Sequence, residues 1–400
     1  MTAHVLERLA ATNPQCEIWW DSSPLVYDAW KRRTLEAAPA DKHDLWAEQL
    51  TRLMDPASIK TTGQMGFRGV TTNPPLSLQA LEGDPVFWAG EIKATRSRLS
   101  TDDVEATYWS VYLDIVKRGA ELLLPVFKTS QRRFGFLSGQ VDPRLVTDGD
   151  RMLEQGLEIA AQGENVMVKI PGSKAGYEVI EELTARGIAT NNTTSFTVPQ
   201  YMRCMDAVSK GLKRAEANGV DLSGWRSVIT HMSSRLGNIG DLSWQAEARG
   251  VGLSPEEILY GEMAVMKRAY FKAQADDHPS KMLQCSMRVI DDPSSGKASS
   301  WHIEKLAGGD FVYTCPPSYI AQLMQAEDRL PPFDPHAVEE EAPRDVMEKL
   351  LRIPYFRQAF EFDGMRPEEF EDFGAFKATE VQFAEATRRT VDFVARVLEG

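Results

Sequence analysis

A lysine set among branched apolar residues is the first place in this sequence where chemistry is expected. In Asn165-Val166-Met167-Val168-Lys169-Ile170, strand alternation puts Val166, Val168 and Ile170 on one side of the pleat and Met167 and Lys169 on the other. If the face carrying Lys169 is enclosed, its ammonium loses hydration, its pKa falls, and a neutral amine able to attack a carbonyl becomes available. The plainer reading is a lysine that runs out to solvent from a strand end, and spacing alone favours it.

Other strand-like segments change the balance, because six of them also carry a polar residue at or near the C-terminal end: Asp21, Asn73, Gln140, Asn191 with Thr193, Thr230 and Arg288. The segments are Glu17 to Asp21, Arg68 to Asn73, Phe134 to Val141, Asn165 to Ile170, Gly187 to Thr193, Ser227 to Met232, Met282 to Arg288 and Phe311 to Cys315. Helical stripes separate them. Leu153, Leu157 and Ala160 form one; Val179, Ile180 and Leu183 form another, with Gly187 as its C-terminal cap. Tyr201, Met205, Val208 and Leu212 mark a third, and Ile258 to Gln274 reads as a long helix opened by Ser254-Pro255. The stretch after the second strand is long and expected to be helical.

Eight strands alternating with helices predict a (β/α)8 TIM barrel with extra helices, in which polar strand ends gather at the C-terminal face where barrel enzymes build their sites. The acidic, Pro-rich stretch Glu327 to Pro343 reads as a surface connection. Val381, Ala384, Val391, Val394 and Leu398 mark a terminal helix that could lie across the barrel. One barrel domain over residues 1–400 is expected, with 318–400 as a helical extension packed on it; a separate C-terminal domain is the alternative.

With 42% hydrophobic and 26% charged residues, the chain has the composition of a globular protein with a sizeable core. A formal net charge of −13 argues against nucleic-acid and anionic-membrane partners. Cys16, Cys204, Cys285 and Cys315 lack CxxC spacing, so reduced buried thiols are expected rather than a metal site or disulfides. No apolar run approaches the roughly 20 residues of a membrane span, and the first fifteen residues lack the pattern of a leader. A cytoplasmic protein is expected, and its oligomeric state is left open.

Three strings sharpen the expectation: Gly69-Val70-Thr71-Thr72-Asn73-Pro74, Val141-Asp142-Pro143-Arg144, and Val168-Lys169-Ile170-Pro171 with Gly176. In this order they resemble the signatures of the transaldolase family. The likeness runs from the first strand through Pro317 and is greatest to the longer bacterial members with a C-terminal helical extension. It implies that Lys169 forms a Schiff base with a ketose and that Asp21 shuttles the proton of the ketose hydroxyl as the carbon–carbon bond breaks. By the same likeness Asn73 and Asn191 hold sugar hydroxyls and the carbinolamine, and Thr193 positions a catalytic water. Thr230, Arg235 and Arg288 match the phosphate site. No metal or organic cofactor is implied, and the expected partners are small sugar phosphates.

Each position also has a plainer reading. Asp21 could cap a turn before Ser22-Ser23-Pro24, Thr193 could cap the helix that begins near Thr197, and Arg288 could pair with Asp291 or Asp292. Asp142 and Arg144 are expected to be structural, His231 to pack behind its strand, and His302 to lie on a short helix without a ligand partner.

Two positions depart from the transaldolase pattern. Gln140 stands where a glutamate is usual, and Met232 where an aromatic residue is usual; both border the water. Glutamine can orient water but cannot take its proton at neutral pH. Fructose 6-phosphate aldolases also carry glutamine there but pair it with a tyrosine. The implied function is transfer of a dihydroxyacetone unit from a ketose phosphate to an aldose phosphate, as in the pentose phosphate pathway. The alternatives are a class I aldolase or carbon–carbon bond-forming homologue of specialised metabolism, and a catalytically silent sugar-phosphate-binding homologue.

Overall fold

The computed structural model describes residues 2–55 and 66–400. Eight parallel strands close into a barrel: β1 (Glu17–Asp21), β2 (Gly69–Thr71), β3 (Phe136–Gln140), β4 (Val166–Pro171), β5 (Thr190–Ser195), β6 (Ser227–Met232), β7 (Lys281–Cys285) and β10 (Phe311–Cys315), with β10 paired back to β1. A two-stranded antiparallel hairpin, β8 (Ile290–Asp292) and β9 (Lys297–Ser299), is inserted between β7 and β10. This is the expected (β/α)8 barrel with extra helices. The helices fall where the stripes place them, including Gly149–Ala160, Lys174–Ala185, Val198–Ala217 and Pro255–Ala275. Three helices, Pro74–Gly83, Pro85–Leu99 and Val104–Thr129, fill the long stretch after β2.

Strand limits differ from the sequence reading for local reasons. Strand β5 starts at Thr190, because Gly187 is consumed in ending the preceding helix with φ +73. Strand β7 ends at Cys285 because Ser286 turns left-handed (φ 57), which leaves Arg288 outside the ladder. The hairpin was not expected; its β8 begins only two residues after Arg288.

Register assigns the two faces. Lys169 lies beside Gln140 on β3 and Asn191 on β5, and Asp21 lies beside Thr71 on β2. Residues in register on neighbouring strands share a face, so these side chains enter the lumen while Val166, Val168 and Ile170 meet the helices. The opposite end of the lumen is plugged by buried Glu17, which accepts from Arg226 (2.5 Å), Lys281 (2.9 Å) and Trp19 Nε1 (3.0 Å). Burial opposes its charge, but the two cations hold its pKa down to about 2.

Glycines make two close approaches possible. A Cβ on Gly69 would meet the Trp19 indole at 2.5–2.8 Å, so this position leaves room for an aromatic plug beneath the polar strand ends. A Cβ on Gly176 would stand 2.0 Å from the Pro171 carbonyl oxygen, and this explains the spacing of Pro171 and Gly176: the helix after β4 begins against the strand's end. Ser173 caps that helix, accepting from Gly176 N–H at 2.9 Å.

After β10 come helices Pro317–Ala326, Arg344–Leu350, Pro354–Phe360 and Gly374–Glu399. In the stretch read as a surface connection, Ala337 and Val338 are buried, and Pro335 packs on Gly308. The last helix packs on Pro74–Gly83, Pro85–Leu99, Val104–Thr129 and β5. Of the stripe read in the sequence, Ala384 and Val394 are buried and Val391 and Leu398 pack on the core, but Val381 is exposed; Ala375, Thr379, Phe383, Ala386, Thr387 and Thr390 are buried as well. Threonine enters this face because each hydroxyl bonds back to a carbonyl four residues earlier, at 2.7–3.1 Å, and so carries no unmet polar group inward.

Gly69→Ala should therefore cost about 1–3 kcal/mol, since the added carbon overpacks a rigid ring. Denaturant unfolding measures the loss, and unchanged stability would show that the Trp19 plug can shift.

Candidate active site

Lys169 ends in a closed space. It is 5% exposed, and Nζ donates to the Thr72 carbonyl at 3.1 Å. Burial lowers its pKa below the ordinary 10.5; Asp21 partly offsets this, and Arg235 adds to the lowering. Asp21 is shifted the other way, upward by burial, with Lys169, the Thr71 hydrogen bond and Arg235 opposing. The two groups influence each other without a direct ion pair. Asp21 accepts from Thr71 Oγ1 at 2.6 Å, and Thr71 contacts Thr314 Oγ1 at 2.5 Å. Asp21 does not cap the following turn; Ser23 does, accepting from Leu25 N–H.

Gln140 is anchored by its backbone. Tyr112 Oη donates to its carbonyl and accepts from its N–H, both at 2.7 Å. Both polar atoms of the Gln140 side chain are buried without a protein partner. Buried amides are normally satisfied, so an unmet pair beside a buried lysine marks a place for a polar ligand or water.

Asn191 is the centre of a chain. Its Nδ2 donates to Ser138 Oγ at 3.0 Å, and its Oδ1 accepts from Thr230 Oγ1 at 2.8 Å. Thr230 therefore serves Asn191, and Arg235 lies elsewhere, on the short helix Ser233–Asn238. Thr193 is buried in register with Pro171; the helix cap expected as its alternative is Thr197, which accepts from Gln200 N–H at 3.2 Å. Asn73 caps Pro74–Gly83, accepting from Leu76 N–H at 3.0 Å, and its amide N–H2 remains to donate. Met232 is buried at the end of β6, in register with Cys285.

The two arginines differ. Arg235 Nη1 donates to Thr379 Oγ1 (3.0 Å) and Gln382 Oε1 (2.8 Å) of the last helix, and the Phe383 ring lies 5.6 Å away. Arg288 instead faces fully buried Glu262, with N–O distances of 3.3–3.5 Å. It pairs with neither Asp291, which binds Arg329, nor Asp292, which accepts from Ser294 and Ser295. His302 has a partner after all: its Nε2 is 2.9 Å from Glu262 Oε2.

Several contacts were not read in the sequence. Ser138 could have been, since it lies two residues before Gln140 on the same strand face; Thr71 has the same relation to Asn73. Tyr112, Glu262, Thr379 and Gln382 arrive from helices remote in sequence and left no local signal. His231 packs behind β6, against Tyr201 and the Glu262 carbonyl. Arg144 binds Asp142 (2.6–3.0 Å) and Glu105 (2.7 and 2.8 Å), tying the turn after β3 to the long helix. Among the described residues no His, Cys, Asp and Glu cluster is arranged to hold a metal ion, and all four cysteines are free and buried. No described helix is long and apolar enough to cross a membrane.

Fold and site together describe a barrel with a desolvated lysine at the C-terminal end of β4. The family model for transaldolase/fructose-6-phosphate aldolase matches residues 53–368, and the chain belongs to that family. It is similar to a transaldolase of Thiobacillus denitrificans, at 28% identity over 74% of this chain and 85% of the relative. A transaldolase of Mycolicibacterium smegmatis is 31% identical over 64% of this chain and 69% of its own. A Streptomyces avermitilis protein named transaldolase 1 is 37% identical over 42% of this chain and 44% of its own.

A buried cation costs folding stability, and the sign follows from linkage. Between its lowered folded pKa and 10.5, the unfolded chain binds more protons at Lys169, so stability rises with pH across that window and the full cost lies below it. Lys169→Met should raise stability at pH values below the window by about 1–2 kcal/mol, and the gain should shrink above pH 10.5. Thermal melts against pH test this; a destabilised variant at neutral pH would show that Lys169 is not held at a cost.

Proposed function

We propose that the protein is a lysine Schiff-base transaldolase acting on sugar phosphates in the cytoplasm, with residues 318–400 serving the barrel as an extension rather than a separate domain. The observation that carries this reading is Lys169, buried between Gln140 and Asn191 on the lumen face with its pKa lowered. The neutral amine attacks the ketose carbonyl, and loss of water from the carbinolamine gives an iminium. Asp21, whose raised pKa favours taking a proton, receives the proton of the hydroxyl on the carbon beyond the breaking bond. The electron pair of that carbon–carbon bond passes to the iminium, which makes an enamine and releases an aldehyde. The enamine adds to an acceptor aldose phosphate, and hydrolysis of the new imine frees Lys169. The imine is itself the electron sink, so the steps draw on no metal or organic cofactor.

The remaining roles follow the site. Asn191, oriented from both sides by Ser138 and Thr230, holds the carbinolamine oxygen or a sugar hydroxyl, and the free amide N–H2 of Asn73 holds another. Gln140 and Thr193 orient the water of imine formation and hydrolysis, and the Met232 side chain borders them. Arg235 receives the phosphate. Thr230 supports this end through Asn191, and Arg288 contributes positive charge from its pair with Glu262.

A second reading has its own observation. Gln140 replaces a general base, so imine hydrolysis is the step most weakened, and cleavage without transfer, or carbon–carbon bond formation with another acceptor, becomes the alternative use of the same imine.

Borohydride added with fructose 6-phosphate should leave a reduced dihydroxyacetone adduct on Lys169 alone, read by peptide mass. Trapping at another lysine, or at none with any ketose phosphate, defeats the Schiff-base assignment. Because only the neutral amine reacts, the trapping rate should climb with pH to a midpoint below 10.5, and Asp21→Asn should move that midpoint lower by removing the charge that favours the ammonium.

Gln140→Glu should quicken turnover with transaldolase substrates at least about tenfold, one general base commonly contributing about 10² to 10⁴. If steady-state assays show slower turnover with every ketose, the glutamine belongs to a different reaction and the second reading takes precedence.

A further inference from the structure

The terminal helix Gly374–Glu399 lies beyond the stretch that matches the family, yet it reaches the charged mouth of the barrel. Its contact with Arg235 is made in an unusual way. Both hydrogen bonds end on Nη1, and both acceptors, Thr379 Oγ1 at 3.0 Å and Gln382 Oε1 at 2.8 Å, are neutral. Thr379 spends its own proton on the Ala375 carbonyl at 2.7 Å, so it faces the guanidinium as an acceptor only. Among the described residues, no carboxylate forms an ion pair with Arg235, and no protein group accepts from its Nε or Nη2. Arg288, by contrast, spends its charge on Glu262.

A guanidinium pinned along one edge presents the other edge as a fork, the geometry that suits two phosphate oxygens. Had either partner been a carboxylate, phosphate would have to compete with an ion pair already in place. The charge of Arg235 also reaches Asp21, Lys169 and Cys285.

We propose that Gln382 and Thr379 are positioning residues of the phosphate subsite, holding Arg235 through neutral oxygens so that its free edge and whole charge are kept for a phosphomonoester dianion. The inference rests on the reading of Arg235 as the phosphate contact. It makes the last helix a determinant of specificity for phosphorylated over unphosphorylated ketoses, rather than only a cover for the apolar surface beneath it.

Gln382 is exposed, so its variants should fold as the parent does, whereas Thr379 is fully buried and is the poorer probe. The test compares the full chain with Gln382→Glu, Gln382→Leu and Arg235→Ala, by calorimetric titration with inorganic phosphate and by steady-state kinetics with fructose 6-phosphate. Gln382→Glu should weaken phosphate binding about tenfold and raise KM by a similar factor, with kcat moving less than about twofold, because the new carboxylate neutralises the guanidinium in the ground state and transition state alike. Gln382→Leu, which removes the bond but adds no charge, should weaken phosphate less than about threefold. Unaltered phosphate affinity in Gln382→Glu, or equal losses in the Glu and Leu variants, overturns the inference while leaving Arg235 in place. An Arg235→Ala protein that binds phosphate as the parent does overturns the assignment of Arg235 itself, and the inference with it.

Discussion

A closed ring of eight parallel strands buries its middle, and placing a lysine there is the constraint on which the rest of the site depends. Among the described residues Lys169 has one acceptor, the Thr72 carbonyl, and no carboxylate bonded to it; a full ion pair would hold it as ammonium. Asp21 stands near enough to oppose the pKa shift yet is itself engaged by Thr71. Desolvation therefore wins over Coulomb attraction, and each group is pushed toward its neutral form. Proton transfer between substrate and protein can then proceed without first breaking a strong ion pair. The same closure favours partners for other polar groups in the lumen: Asn191 is bonded on both sides, and Glu17 at the far end has two cations and an indole.

Charge at the mouth is managed by different means for its two arginines. Glu262 is fully buried and is shared between Arg288 and His302, so Arg288 is tied to the helix Pro255–Ala275 and to the short helix that follows the hairpin. Among the described residues Arg235 is tied by a hydroxyl and an amide alone. In a protein of net charge −13, a guanidinium with no ion pair among the described residues supplies a local positive field that the overall charge does not.

Most of the barrel was legible because its signals are local. Strand alternation put Lys169 inward and Val168 outward, and the polar residue at each strand end followed from the same period. Strand ends were less legible, since Gly187 and Ser286 stop or delay a strand through backbone conformation rather than hydropathy. The terminal helix was read as a helix with most of its inward stripe, since Ala384 and Val394 are buried and Val391 and Leu398 pack on the core, but Val381 looked core-facing and is exposed, while Thr379, Thr387 and Thr390 looked polar and are buried. Burial of threonine depends on a hydroxyl bonding its own helix, which no hydropathy pattern records. The partners of Arg235 and Arg288 could not be read at all, for they lie 144 and 147 residues away for Arg235 and 26 for Arg288.

Gln140 shows how far geometry extends a departure that was visible in the sequence. The backbone of Gln140 is held from outside its own strand. A single phenol, Tyr112 from the long helix after β2, takes both its N–H and its carbonyl. That leaves the side-chain amide oriented inward with a donor and an acceptor both unmet. A carboxylate in that place could only accept, and its charge would draw Lys169 back toward the ammonium. A neutral amide can give one hydrogen bond and receive another, and it adds no charge beside the amine. Gln140 thus leaves the downward shift of the Lys169 pKa unopposed at the expense of a base, and the lower that pKa lies, the less a site that needs the free amine gives up by that exchange.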